Sequence, residues 1–190
     1  RGRQGSGFIL RNKYLITCEH TVESNNIGEV IDFFNFNNFG YKESGTLKYK
    51  NKGTDVAIIE VKNRDTFFEK ENHAADFSIL DNFRAIGFPA YQVGDQPHVV
   101  NIQVAAFSKN AHGVKQILVN EPLRGGMSGG VVLDNKGWVV GMINLGARTT
   151  EDVLATYRFG FIPLQYVNEA ILGHEREANR QSSLAIISAG

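Results

Sequence analysis

Apolar positions along the chain fall in short runs that alternate with Gly, Asn, Asp and Lys. The runs are GFILR (7–11), YLITC (14–18), GEVIDFF (28–34), GTLKYK (45–50), VAIIEV (56–61), FRAIGF (83–88), HVVNIQVAAF (98–107), KQILVN (115–120), GGVVLD (129–134), GWVVGMINL (137–145) and YRFGFIP (157–163). Each is rich in β-branched and aromatic residues and too short for a stable helix, so each predicts a strand. About eleven short strands predict an all-β sandwich or a pair of barrels.

The breaks carry their own chemistry. Arg11-Asn12-Lys13, Asn51-Lys52-Gly53 and Asp134-Asn135-Lys136-Gly137 predict tight turns, the last within a hairpin. One helix is expected, Leu164 to Leu172, begun after Pro163 and stopped at Gly173. HEREANRQSS beyond it reads as a polar tether, and residues 64–76 as the connection between two halves. These divisions predict an N-terminal unit over 1–78, a second over 79–173 with the helix at its end, and a tail over 174–190. The Phe/Asn-rich stretch from Phe33 to Phe39 reads as a strand end and hairpin whose aromatics pack on the core, or as a rim contact for a peptide partner.

Composition changes this picture little. At 190 residues, with 42% hydrophobic residues, the chain can bury a real core, and Lys+Arg balance Asp+Glu at 20 each. That balance gives no electrostatic reason to expect nucleic acid. No signal peptide is expected, no apolar run approaches the roughly 20 residues that cross a bilayer, and no membrane partner is expected. The chain opens RGRQGSG without Met and reads as excised from something longer. The single cysteine, Cys18, excludes an internal disulfide and is compatible with a reducing compartment, so the cytoplasm is the favoured location. Five scattered histidines form no local ligand pattern, and neither a metal nor an organic cofactor is expected.

The segment GGMSGGVV (125–132) sets one serine among four glycines. A serine hydroxyl is a weak nucleophile that needs a base, commonly an imidazole oriented by a carboxylate, and donors aimed at the developing oxyanion. Small residues around Ser128 let the chain turn sharply, and successive N–H groups can converge on an anion. That pattern alone is weak. Upstream, however, YLITCEH places His20 after one strand and TDVAIIEV places Asp55 before another, giving the order His, Asp, Ser. Asp32 and Asp65 are rivals for the carboxylate, but neither precedes so apolar a strand. Cys18, two residues before His20, is a thiol alternative without an oxyanion nest of its own, and reads as a packing residue.

GSGFIL with YLITCEH, DVAIIEV, RAIGFP and GGMSGGVVLDNKGWVVGMIN together resemble trypsin/chymotrypsin-like serine peptidases, most closely the bacterial Deg/HtrA branch, over residues 5 to 172. The resemblance implies an all-β fold of two six-stranded antiparallel barrels with a short C-terminal helix. It implies a serine endopeptidase with Ser128 as nucleophile, His20 as base and Asp55 as its orienting carboxylate, and with the N–H groups of Gly126 and Ser128 as oxyanion hole. By position, Pro122, Leu123, Arg124, Gly125, Ile143, Asn144, Leu145 and Gly146 would line the substrate pocket, with Tyr157 to Phe161 behind. Pro122 stands where trypsins carry an acid, so a preference for Lys or Arg is not expected; a small or apolar residue before the cut is, with Glu121 and Arg158 nearby.

Two departures stand out. Met127 replaces the residue that pairs with a cleaved N-terminus in trypsins, so that activation route is not expected, and Val131 replaces a common proline. With Gly125 and Gly126 adjacent, the loop is expected to switch state under a regulatory domain or partner protein. The expected substrate is a protein or peptide; the alternative is a protease-like module that binds peptide without turnover.

Overall fold

The computed structural model describes residues 4–36, 41–62, 68, 70–145 and 158–188, with side chains as far as 183. Its strands are β1 (Phe8–Leu10), β2 (Tyr14–Cys18), β3 (Val30–Phe34), β4 (Lys42–Asn51), β5 (Val56–Glu60), β6 (Asn82–Gly87), β7 (His98–Lys109), β8 (Lys115–Val119), β9 (Val131–Leu133), β10 (Val139–Leu145) and β11 (Phe159–Pro163), followed by one helix, α1 (Leu164–Ser188). Each falls on one of the apolar runs.

The turns form as their residues demand. Arg11 and Asn12 both take positive φ, 52° and 63°, as the central residues of a turn closed by Lys13 N donating to Leu10 O at 3.3 Å, within the three-residue loop that sets Leu10 opposite Tyr14. Asp134 accepts from the N–H groups of Lys136 and Trp138 at 2.8 and 2.9 Å, which closes the β9–β10 hairpin. The Asn51 side chain accepts from Gly53 N at 2.8 Å, which turns the chain out of β4 just ahead of β5.

The strands form two antiparallel sheets. The C-terminal one is a closed barrel of order β10-β11-β8-β7-β6-β9. Its core gathers Phe77, Phe83, Ile102, Ile117, Leu123, Met127, Ile143 and Phe161, with the rings of Phe77, Phe83 and Phe161 packed at steep angles, their centres 5.4 to 5.9 Å apart.

The N-terminal sheet corrects the expectation of a second six-stranded barrel: it has five strands, ordered β1-β2-β5-β4-β3, and no ladder joins β1 to β3 among the described residues. It curls as a half-barrel. The physical reason lies in the strands at its ends. β1 offers only three residues of register and pairs on one edge with β2, β3 pairs on one edge with β4, and the other edge of each carries no ladder among the described residues. A cavity of about 520 Å³ lies between β3 and the segment leading into β1, bordered by Ser6, Leu15, Ile31, Phe33 and Ile59.

The expected helix is also longer than expected. Gly173 does not stop it; α1 runs through the segment read as a tether to Ser188. Glu, Arg, Ala and Gln supply helix propensity on both sides of one glycine, whose cost of about 1 kcal/mol they outweigh. Its first turns are buried: Leu164, Val167 and Ile171 join Phe8, Tyr14, Ile58 and Met142 in a core between the two sheets. Tyr14 donates to Glu175 at 2.9 Å, so β2 is tied to the helix. Of the connecting segment 64–76, part lies outside the described residues; its end runs alongside β10, with Val139 N donating to Lys70 O and Asn72 N to Val139 O, at 2.9 and 2.8 Å.

Candidate active site

β2 ends in a short 3-10 turn, Glu19–Thr21, which carries His20. β2 pairs in register with β5, Cys18 opposite Val56, so the residue just before β5 is brought beside the residue just after β2. That residue is Asp55. It takes φ 59°, a left-handed conformation that aspartate tolerates better than most side chains. Its carbonyl accepts from Glu19 N at 3.1 Å, and its carboxylate accepts from His20 N at 3.0 Å. The same carboxylate meets the imidazole Nδ1 at 2.8 Å through Oδ2 and 3.1 Å through Oδ1. Both groups are partly buried. Backbone and ring of His20 are thus held by one acid.

Ser128 lies on the loop from Arg124 to Gly130, between β8 and β9. Met127 N donates to Arg124 O at 3.1 Å around Gly126, whose φ of +95° is that of the third position of a type II turn. The carbonyl of Gly125 accepts from Ala90 N at 3.2 Å. The Ser6 hydroxyl donates to Gly126 O at 2.7 Å, Gly130 N donates to Met127 O at 2.9 Å, and Ser6 N donates to Ser128 O at 2.8 Å. Every carbonyl from 124 to 128 therefore has a donor. A trans peptide sets its N–H opposite its C=O, so the N–H groups of Gly126 and Ser128 point away from Ala90 and Gly130 respectively. Neither has an internal partner among the described residues.

The loop meets the histidine-bearing strand at Gly129. Gly129 has φ +90°, and a Cβ there would overlap Ser6 O and lie 2.6 Å from Thr17 Oγ1 and 3.1 Å from Cys18 N. Only glycine lets the two chains come this close. No hydrogen bond joins Ser128 Oγ to His20 among the described residues; nucleophile–base contacts in unliganded sites are often long and tighten around substrate.

Cys18 is buried at this junction and its thiol donates to Ile143 O at 3.2 Å. Burial, and then the adjacent Asp55 carboxylate, push the thiol well above its ordinary range. The ligand atoms of Cys18, His20 and Asp55 lie within 4.8 Å of one another. A thiol must deprotonate to ligate a metal or act as nucleophile, and this environment opposes it; hydrogen bonding accounts for the cluster.

The other candidates separate. Asp32 is exposed and paired with Lys42 at 3.1 Å, while Asp65 lies outside the described residues. Leu123 and Ile143 are core residues of the C-terminal barrel, whereas Pro122, Arg124 and Gly125 are exposed. Leu145 is half-buried and Asn144 buried, its Oδ1 without a partner among the described residues. Arg158 donates to Ser108 at 3.1 Å, and Glu121 is exposed. Gly146 and Tyr157 lie outside the described residues. Phe34 and Phe36 pack on Tyr91 and Phe88, 5.9 and 6.0 Å between ring centres, so the described part of the Phe/Asn-rich stretch lies against the loop after β6.

Sequence reasoning left two parts of this site unexplained. Met127, an anomaly by its position, is 1% exposed and anchors the loop in the C-terminal core. Ser6 was no more than a letter in GSGF, and nothing in a local pattern reveals that its hydroxyl bonds a residue 120 positions away.

With this geometry in place, comparison with known proteins defines the class. The family model of the trypsin-like peptidase domain matches residues 5–142, and the chain belongs to that family. Among solved structures, a serine endoprotease from Yersinia pestis superposes with TM-score 0.71 at 19% identity, covering 92% of this chain and 58% of that one. The HtrA-type protease AlgW with a tripeptide gives 0.70 at 19%, covering 88% and 54%. A protein from M. tuberculosis, in an inactive form with serine replaced by alanine, gives 0.70 at 14%, covering 90% and 82%. These likenesses are of fold. The chain spans little more than half the length of the first two.

Proposed function

We propose that this domain is a serine endopeptidase in which Ser128, His20 and Asp55 hydrolyse peptide bonds of protein substrates. The observation that carries the reading is the 2.8 Å contact between His20 Nδ1 and Asp55. A carboxylate accepting from Nδ1–H fixes the tautomer and makes the other ring nitrogen, Nε2, the base. Ser128 Oγ attacks the scissile carbonyl carbon as its proton passes to Nε2. The resulting oxyanion is received by the N–H groups of Gly126 and Ser128. Collapse expels the amine, which takes the proton from His20, and leaves an acyl-enzyme; water repeats the sequence and releases the acid. The mechanism requires no metal or cofactor.

A peptide substrate is supported by AlgW, whose structures hold a tripeptide or a decapeptide. With Pro122 at the pocket base rather than an acid, a small or apolar residue before the cut is the proposed preference, along the edge formed by Arg124, Gly125, Asn144 and Leu145. Regulation by a fused domain or partner would act on the Gly125-Gly126 hinge. A second reading, a peptide-binding module without turnover, draws on the atypical Met127 and on the Gly125-Gly126 pair in the same loop.

Labelling with a fluorophosphonate probe separates the two. The wild type reacts at Ser128, and Ser128→Ala and His20→Ala do not; Ser128→Ala lowers kcat/KM on a reporter peptide by about five to six orders of magnitude. A wild type that neither labels nor cleaves, alone or with candidate partners, would leave only the binding module.

A further inference from the structure

We infer that Ser6 is a positioning residue for the oxyanion hole, acting through its hydroxyl on the Gly126 peptide; this rests on the serine peptidase reading above. Ser6 is 6% exposed and stands between the two sheets, just ahead of β1. Each of its polar groups is engaged. The hydroxyl donates to Gly126 O at 2.7 Å and accepts from Phe88 N at 2.8 Å. The main-chain N–H donates to Ser128 O at 2.8 Å, and the carbonyl accepts from Thr17 Oγ1 at 2.7 Å. One residue thus touches the nucleophile loop twice, the strand that carries His20, and the loop after β6.

The consequence follows from peptide geometry. A glycine at φ +95° preceded by another glycine has little intrinsic preference for one peptide orientation, so external bonds must choose it. Gly125 O is held by Ala90 N, and Gly126 O by Ser6 Oγ, so the two peptides flanking the Gly126 α-carbon are fixed from opposite residues. Ser6 also holds Phe88, two residues before Ala90, and so steadies the second anchor as well. Without the hydroxyl, Gly126 O and Phe88 N lose their partners together; Gly125 O keeps its bond to Ala90 N, but the adjoining Gly126–Met127 peptide and the loop that carries Ala90 each lose a support, so Gly126 N–H is held less firmly toward the oxyanion. The main-chain bond to Ser128 survives, so the nucleophile itself stays where it is. Removing Ser6 Oγ should therefore weaken stabilisation of the transition state rather than binding of the substrate.

The test compares Ser6→Ala, Ser6→Cys and Ser6→Thr with the wild type, on a reporter peptide and on a peptide boronate of the same sequence, whose oxygen occupies the hole. Thermal unfolding is followed in parallel. Loss of a full oxyanion donor costs about 10²- to 10³-fold in kcat, so a misaligned one is expected to cost about 10- to 100-fold. Ser6→Ala and Ser6→Cys should lose that factor in kcat and a similar one in boronate affinity, with KM within about twofold. Ser6→Thr, which keeps the hydroxyl, should recover most of both. Ser6→Cys fills the same space, which keeps the test decisive if the alanine variant folds poorly. Unchanged kcat in well-folded Ser6→Ala or Ser6→Cys, or losses that track only the folded fraction, would overturn the inference while leaving the peptidase intact. An inert wild type would instead overturn the peptidase reading and the inference with it.

Discussion

At the scale of single residues, the site depends on positions where a side chain is excluded as much as on those where one is required. Gly129 is the sharpest case. Its φ of +90° is disfavoured for any L residue, and a Cβ would run into the Ser6 carbonyl and the Thr17 hydroxyl. The obstacle is largely backbone, which cannot swing aside as a flexible side chain would. Gly129→Ala is expected to destabilise the fold by about 2–4 kcal/mol, read as a lower midpoint in urea unfolding; a loss under 0.5 kcal/mol would show that the loop relaxes freely. Cys18 gives a complementary expectation. Its thiol is buried, its pKa raised by desolvation and by Asp55, and it donates to Ile143 O. In native buffer at pH 8 it should resist a disulfide-exchange reagent such as dithionitrobenzoate and react fully once the chain is unfolded. Fast titration of the native thiol would count against this packing. His20, Asp55 and Ser128 stood out because each sits beside an apolar strand in a recognisable context, and the structure brings the first two into contact. The roles of Ser6 and Met127 were not legible, since they consist of contacts between positions 80 to 120 apart in one case, and of core burial in the other.

At the scale of elements, the alternation of apolar runs with turn residues located the strands well, because a strand needs only local signals at its two ends. Arg11-Asn12 and Asp134 to Gly137 carry enough chemistry in two to four residues to fix a hairpin. Closure of a sheet is different: it depends on how many rungs the edge strands can offer, and the three-residue β1 carries no local sign that it ends the N-terminal sheet. The helix failed in the opposite sense, with Gly173 taken as a stop. A C-terminal glycine stops a helix by taking positive φ, and Gly173 does not; it continues into a segment of good helix formers. Nothing lies within 4 Å of where its Cβ would be. Gly173→Ala should therefore stabilise the domain by about 0.5–1 kcal/mol, through helix propensity without any new clash. Calorimetry or urea unfolding checks the sign: a destabilised variant would mean that the helix is broken at 173 in solution.

At the scale of the molecule, the two sheets are joined through a polar junction as well as through the core beneath α1. Arg11, in the β1–β2 turn, donates to Asn168 on α1 at 2.7 Å and pairs with Glu71 at 3.5 Å. Glu71 lies on the connecting segment, bridged to Val139 of β10, and its carboxylate meets His73 Nε2 at 3.4 Å. His73 Nδ1 is buried without a partner among the described residues. Desolvation lowers the His73 pKa below 6.5, against the pull of Glu71 and with a smaller push from Arg11. A histidine that is harder to protonate when folded binds more protons when unfolded, so stability rises with pH across the window just below 6.5. Conversely, it falls as the pH drops through that window and levels off below the folded-state pKa. Carboxylates with ordinary pKa values near 4 titrate below most of this range and leave it open to measurement. The wild type should thus lose more thermal stability between pH 7.5 and pH 5.5 than His73→Gln, which keeps a polar group but cannot take the proton. Equal losses in the two proteins would show that the junction is solvated and that His73 titrates as freely folded as unfolded.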